Sequence, residues 1–243
     1  MKTVITTTAI DLSGSLHRYL KPAHQLVDTY LEHTNFDIIL LTNSTGSFSS
    51  IENNRVSIVD YNNFYDETIQ SCKRFNMHIK RHAIRLGSQR EYDLVYHHDC
   101  DFFITGWDQE SFLETVEQDY DVIFPNNSKP QLGSLRANYK HFQEKIDLEF
   151  GDLYYDELDN APNASETAII FKNNSKLEIF LDFWDKIAEK NNNFFTYHCA
   201  VYFGTAAVHS KMKITHVTPD HKFSTYGRIH HNDRLLNYYG RYI

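Results

Sequence analysis

Residues 36–42, Phe-Asp-Ile-Ile-Leu-Leu-Thr, most narrow what this chain can become. The apolar run has almost no polar alternation, so as a strand it leaves no face for water. Val4–Ile10, rich in β-branched residues, reads as a strand before it, and Arg55–Tyr61 as a third strand after it. Between the first two, Ala23, Val27, Tyr30 and Leu31 recur at helical spacing to about Glu32, with Pro22 placed as the first helical residue. Strand, helix and strand in that alternation predict an α/β fold with a mostly parallel central sheet flanked by helices.

The same pattern continues. Ile69, Cys72, Ile79, Ala83 and Leu86 share one face of a helix expected over Asp66–Leu86, and Arg74, His78, Arg81 and Arg85 share another. A helix through Phe112, Leu113 and Val116 leads to a strand at Asp121–Phe124. Residues 126–162 hold no strong period and are read as loops around a short helix, Leu135–Ile146. Ala168–Phe171 is a further strand, and Ser175-Lys176-Leu177-Glu178 has the form of a capping box. The helix it opens carries the stripe Leu177, Phe180, Leu181, Trp184, Ile187 and Ala188. Phe194–His209 is small and aromatic with no element assigned, Lys213–Val217 reads as a strand, and the tail is rich in tyrosine. Neither an internal repeat nor a flexible linker divides the 243 residues, so one domain, 1–243, is expected.

Chemistry concentrates in Glu91–Ile104, where an apolar run, Leu94-Val95-Tyr96, leads through His97 and His98 to Asp99-Cys100-Asp101. The two carboxylates fall at or just past the carboxyl end of a predicted strand, the edge where open α/β sheets bind ligands. Two aspartates beside an apolar strand are costly without compensation, and the simplest compensator is a hard divalent ion with oxygen ligands, Mg²⁺ or Mn²⁺. A second Asp-x-Asp, Asp119-Tyr120-Asp121, precedes a strand and reads as a solvated turn. Strand alternation turns one of His97 and His98 towards the acidic site and the other away.

A net charge of −8 gives no general attraction to nucleic acid or anionic membrane, so phosphate binding has to be local. Cys72, Cys100 and Cys199 form neither a zinc pattern nor an even disulfide framework, which favours a reducing compartment. The first residues are too short and polar a run for a signal peptide, and no stretch of about 18 apolar residues occurs. A cytoplasmic protein with no integral membrane segment is expected.

The stretch Arg90–Trp107, REYDLVYHHDCDFFITGW, resembles the Asp-x-Asp region of GT-A glycosyltransferases, and the chain follows that family's order of parts. The resemblance implies a single GT-A-like, Rossmann-like domain, with residues 1–106 as the nucleotide- and metal-binding half and 107–243 as the acceptor-side half and tail. It implies that Asp99 and Asp101 hold Mn²⁺ or Mg²⁺ on the diphosphate of a nucleotide-sugar, a UDP-sugar being the expected donor. It places His230 or His231 as a further metal ligand, Thr7, Thr8 and Ala9 at the nucleoside, and Asp60 and Tyr61 at the base or ribose. Arg81 and Arg85 are expected on donor phosphate or sugar, where a guanidinium fork suits anionic oxygens; Arg74 reads equally as part of a solvated face.

Between Asn191 and Met212 no acidic residue occurs, leaving His198 as the base available to an inverting reaction. Glu166, in Asn163-Ala164-Ser165-Glu166-Thr167, resembles the sugar-pocket turn of retaining members. It favours a retaining transfer to a carbohydrate or glycoconjugate hydroxyl, although the same residue reads equally as a turn cap. Two alternatives stay open: a nucleotidyltransferase of the same fold, and a non-catalytic nucleotide- or carbohydrate-binding protein. The first of these normally carries a Gly-rich basic loop after its first strand, whereas Thr6–Ser15 holds one glycine and no Lys or Arg.

Overall fold

The computed structural model describes residues 1–10, 17–64, 77–125, 131–138, 143–144, 146, 150–162, 164, 168–190, 200–217, 223–229 and 235–237. The chain runs β1 (Thr3–Ala9), α1 (His17–His33), β2 (Asp37–Thr42), β3 (Val56–Asp60), α2 (Lys80–Ser88), β4 (Leu94–His98) and β5 (Phe102–Trp107). It continues through α3 (Gln109–Val116), β6 (Val122–Pro125), α4 (Leu132–Asn138), β7 (Ala168–Lys172), α5 (Ser175–Lys190), α6 (Ala200–His209), β8 (Ile214–Val217), β9 (Ser224–Ile229) and β10 (Leu235–Asn237).

Seven strands form one sheet in the order β3-β2-β1-β4-β7-β6-β8. β1 pairs in parallel with both β2 and β4, β2 with β3, and β6 with β8, while β7 runs antiparallel to its neighbours β4 and β6. The protein is therefore α/β with a mostly parallel sheet flanked by helices, as the apolar strands predicted. From β1 the chain steps outward through β2 and β3, then returns to place β4 on the other side of β1. The strand order thus reverses between β1 and β4, and their carboxyl ends flank the crevice that such a reversal opens.

Both faces of the sheet are covered, and alternation along β4 shows how. Leu94 and Tyr96 enter a cluster with Leu26, Val27 and Tyr30 of α1, while Val95 enters a cluster with Leu177, Phe180 and Trp184 of α5 and Phe203 of α6. Fully burying an apolar side chain of this size is worth about 1.5–3 kcal/mol, so these two clusters carry most of the driving force. A second sheet, β10-β9-β5, lies beside the first, with β5 antiparallel to β9. β5 returns along the α1 face until Trp107 packs edge-on against Phe36, 5.2 Å between ring centroids.

Several local expectations change. α1 begins at His17, so Pro22 lies inside it instead of opening it. The buried stripe Ala23, Leu26, Val27 and Tyr30 outweighs the missing amide. α5 is capped by Asn174, whose Oδ1 accepts from the Lys176 amide at 3.0 Å, instead of by a Ser175 box. α4 begins three residues ahead of the helix expected over Leu135–Ile146, of which residues 139–142 and 145 lie outside the described residues. Ala200–His209, read as having no element, is a helix buried on nearly all sides, and β9 and β10 are strands in what was read as tail. Residues 66–76 of the helix expected to begin at Asp66, with Arg74, lie outside the described residues.

Gly87 and Gly204 each set a close approach. A Cβ on Gly87 would sit 2.9 Å from Thr6 Cγ2 and 3.0 Å from Val95 Cγ1, so α2 lies directly on β1 and β4. A Cβ on Gly204 would meet the Pro162 carbonyl oxygen at 1.7 Å, an obstacle made of backbone. Gly46 has nothing within 4 Å. In thermal unfolding, Gly204→Ala should be the most damaging of the three, at about 3 kcal/mol or more, with Gly87→Ala losing about 1–2 kcal/mol. Gly46→Ala should stay within about 0.5 kcal/mol of the parent.

Candidate active site at the β4 carboxyl edge

The chain leaves β4 at His98 and enters β5 at Phe102, so Asp99, Cys100 and Asp101 form the turn between the two strands. The Phe102 amide donates to the Asp99 carbonyl at 3.2 Å and helps close it. This turn stands at the carboxyl end of β4, directly beside β1. The second Asp-x-Asp lies at the opposite edge of the sheet, ahead of β6. There only Asp119 is the solvated residue the sequence suggested, with its side chain 89 % exposed. Asp121 is a half-buried hub: Asn174 Nδ2 donates to it at 3.0 Å, Lys176 Nζ at 2.6 Å and the Lys213 amide at 2.7 Å.

The charge that meets Asp99 is a lysine. Lys80 Nζ lies 2.5 Å from Asp99 Oδ1, with side chains 5 % and 21 % exposed. Lys80 is the first residue of α2 and shares the helix's buried stripe with Ala83, Ile84 and Gly87. The close seat of Gly87 on β1 and β4, two turns further on, fixes the height at which the ammonium reaches the sheet edge. This residue was missed because helical spacing grouped the basic residues onto a separate face. The available signal was a lysine standing at i, i+3, i+4 and i+7 with small and apolar residues.

His97 and His98 divide as strand alternation requires. His97 is fully buried on the site side, with Nδ1 3.2 Å from Thr6 Oγ1 and Nε2 4.0 Å from Asp99 Oδ1. His98 turns to the α1 face among Tyr30, Tyr96 and Phe102, and its Nδ1 donates to the Asp99 carbonyl at 3.0 Å. The Cys100 thiol is pushed well above its usual range by burial, then by the charges of Asp101 and Asp99, with Lys80 opposing. It therefore stays protonated at neutral pH, which makes it a poor ligand or nucleophile.

The remaining site candidates are placed as follows. Thr7, Thr8 and Ala9 are buried at the end of β1, where the Thr42 hydroxyl donates to the Ala9 carbonyl at 2.7 Å. Asp60 ends β3 and caps the short 3₁₀ turn Tyr61–Asn63, its Oδ1 accepting from the Asn62 amide and side chain, both at 2.9 Å. Tyr61 is only 5 % exposed and packs with Ile10, Leu41, Ile79 and Ala83, so its ring belongs to the core instead of standing open to a base.

Arg81 and Arg85 are a correction. Arg81 Nε and Arg85 Nη2 each bond Asp185 at 2.5 Å, and Arg85 also reaches Asp182 at 3.1 Å. They clamp α2 to α5 because α5 lies on that helical face, and Trp184 Nε1 donates to His78 Nδ1 at 2.9 Å along the same seam. Glu166, His198, His230 and His231 lie outside the described residues.

Among the described residues no group of three or more His, Cys, Asp or Glu side chains is gathered as for a metal. The donor chemistry of Asp99 and Asp101 nonetheless suits Mg²⁺ or Mn²⁺, which bind through one or two carboxylates completed by water and substrate phosphate. No helix among the described residues is long and apolar enough to cross a membrane. No protein-family model matches the chain, and no curated protein matches its sequence.

Two measurements test this geometry. Breaking a buried ion pair from one side strands a charge, so Asp99→Asn and Lys80→Met should each lower urea-unfolding stability by about 2–4 kcal/mol. The double variant should lose clearly less than their sum. For Asp121, burial raises the carboxyl's affinity for protons, but bonds from Lys176, the Lys213 amide and Asn174 outweigh it and hold the pKa below the ordinary 3.8. A depressed folded pKa stabilises above the unfolded value and is lost as pH falls through the folded one. The stability difference between the parent and Asp121→Asn should thus be constant from pH 7 to about 5 and shrink below about 4.

Proposed function

We propose that the chain is a metal-dependent glycosyltransferase that moves a sugar from a nucleotide-sugar, a UDP-sugar, to a carbohydrate or glycoconjugate hydroxyl. The observation that carries the reading is the acidic turn Asp99–Asp101 at the carboxyl end of β4, beside β1, where the strand order reverses. Open α/β sheets bind nucleotides at that point. Oxygen ligands on a partly exposed turn are what a hard cation carrying a diphosphate needs.

In this reading Asp99 and Asp101 hold Mn²⁺ or Mg²⁺. A divalent ion bound there supplies Lewis-acid stabilisation of the charge that grows on the departing diphosphate. Lys80 adds a second positive charge at the same edge, in the role first expected of Arg81 and Arg85. Thr7, Thr8 and Ala9 form the floor under the nucleoside, and Asp60, at the end of β3, orients its ribose or base. The resemblance would give Glu166 the catalytic role in a retaining transfer, His198 the base of an inverting one, and His230 or His231 a further metal ligand. The three unpaired-pattern cysteines and the absence of a membrane-crossing helix among the described residues favour a cytoplasmic site of action.

A thermal-shift screen of nucleotide-sugars with and without Mn²⁺ tests the proposal. Ligand at about a hundred times its Kd should raise Tm by roughly 5–10 °C, for one nucleotide class and only with the metal. Asp101→Asn should lose that shift and lower sugar transfer or donor hydrolysis by about a hundredfold or more. Stabilisation by the same nucleotide without metal, or turnover undiminished in Asp101→Asn, would count against it. Glu166→Gln with normal turnover would remove that residue's role alone.

A further inference from the structure

We propose that Lys80 is a resident counter-ion that holds Asp99 against a divalent cation arriving alone, and that it yields Asp99 only when a diphosphate takes over its ammonium. Metal and nucleotide then enter as one unit. The inference rests on the donor-and-metal reading above.

Lys80 Nζ stands 2.5 Å from Asp99 Oδ1. A divalent ion on that oxygen would sit at about 2.0–2.6 Å, in the place the ammonium fills, and the two cations would repel at contact range. Metal binding through Asp99 Oδ1 therefore requires Lys80 to move away. Parting it from Asp99 breaks a buried ion pair, which is costly. The whole residue is 4 % exposed, so its charge has almost no water to fall back on.

A diphosphate resolves both problems. Its oxygens ligate the metal and also offer the displaced ammonium a new anion, a role suited to lysine as a mobile point charge. The lysine stem can swing because it is a chain of rotatable carbons, whereas Arg81 and Arg85 next to it are tied to Asp185. The seat of Gly87 on β1 and β4 keeps the stem's base fixed while its tip exchanges partners. The cost of parting Lys80 from Asp99 thus becomes a term that couples the two ligands.

Electron paramagnetic resonance of unbound Mn²⁺ measures the coupling directly, in the parent, Lys80→Met and Lys80→Arg, each with and without UDP, GDP, CDP or ADP. The parent should bind Mn²⁺ weakly alone and far more tightly with one nucleotide. Lys80→Met should bind Mn²⁺ alone at least about tenfold more tightly than the parent and show a correspondingly smaller gain from nucleotide. Lys80→Arg should resemble the parent. If Lys80→Met binds Mn²⁺ alone no more tightly than the parent, while the parent binds Mn²⁺ with nucleotide, the counter-ion role is wrong and the metal-and-donor reading stands. If neither binds Mn²⁺ with any of the nucleotides, both fall. Should Lys80→Met fail to fold, the ¹⁵N resonance of the Lys80 ammonium in the parent decides. It should be unmoved by Mg²⁺ alone and shifted by Mg²⁺ with nucleotide, and a shift with Mg²⁺ alone would overturn the proposal.

Discussion

A buried ammonium has to be answered by an anion, and in this fold the answer is Asp99. Lys80 is carried to the carboxyl edge by a helix pressed so closely on β1 and β4 that a Cβ at the contact, Gly87, would lie 2.9 Å from Thr6 Cγ2. The other side of that helix is fixed by Arg81 and Arg85 on Asp185 and by His78 under Trp184. α2 is held on two faces, so the Lys80 stem starts from a defined place, and the carboxylate it meets is held in one orientation. A turn that would otherwise expose two repelling carboxylates beside an apolar strand becomes an ordered feature. The whole arrangement depends on that ion pair together with the packing that aims it.

The two Asp-x-Asp sequences show that position gives an identical triplet its meaning. At the amino edge, Asp121 is surrounded by donors that the chain itself provides, from Asn174, Lys176 and the Lys213 backbone, and it ties β6, β8 and the start of α5 together. Its bonding capacity is spent on the fold. At the carboxyl edge, Asp99 has one close ammonium and a histidine nitrogen at 4.0 Å, on a turn that borders the crevice. A carboxylate satisfied by several local donors makes a structural joint. One that meets a flexible lysine at the crevice can exchange that partner for another.

The strands at the crevice were readable for local reasons: β2 is a nearly unbroken apolar run and β1 is rich in β-branched residues. α6 was not readable in the same way. Ala200–Ala207 is buried on every side, so no polar face exists to mark a helical period. β9 pairs at the outer sheet with β5, where register depends on a partner far away in sequence. Lys80 was overlooked because a lysine in an apolar stripe contradicts its own hydrophobicity, and the contradiction was itself the clue. Spacing grouped Arg81 and Arg85 correctly on one face, but no periodicity within a helix tells which neighbour that face will meet. It met α5.

The balance at the site also bears on why a lysine, instead of metal alone, would be built beside such a turn. Without it, two carboxylates at the sheet edge would attract any divalent ion and hold it whether or not a nucleotide was present. With a buried ammonium on Asp99, that carboxylate's charge is already met, and a cation that displaces the lysine gains less unless it brings anions of its own. A ligand carrying both signs, a metal–diphosphate pair, gains from every group at the edge at once. In the proposed reading, selectivity would follow from charge balance at contact distance, with Lys80 as the group that sets it.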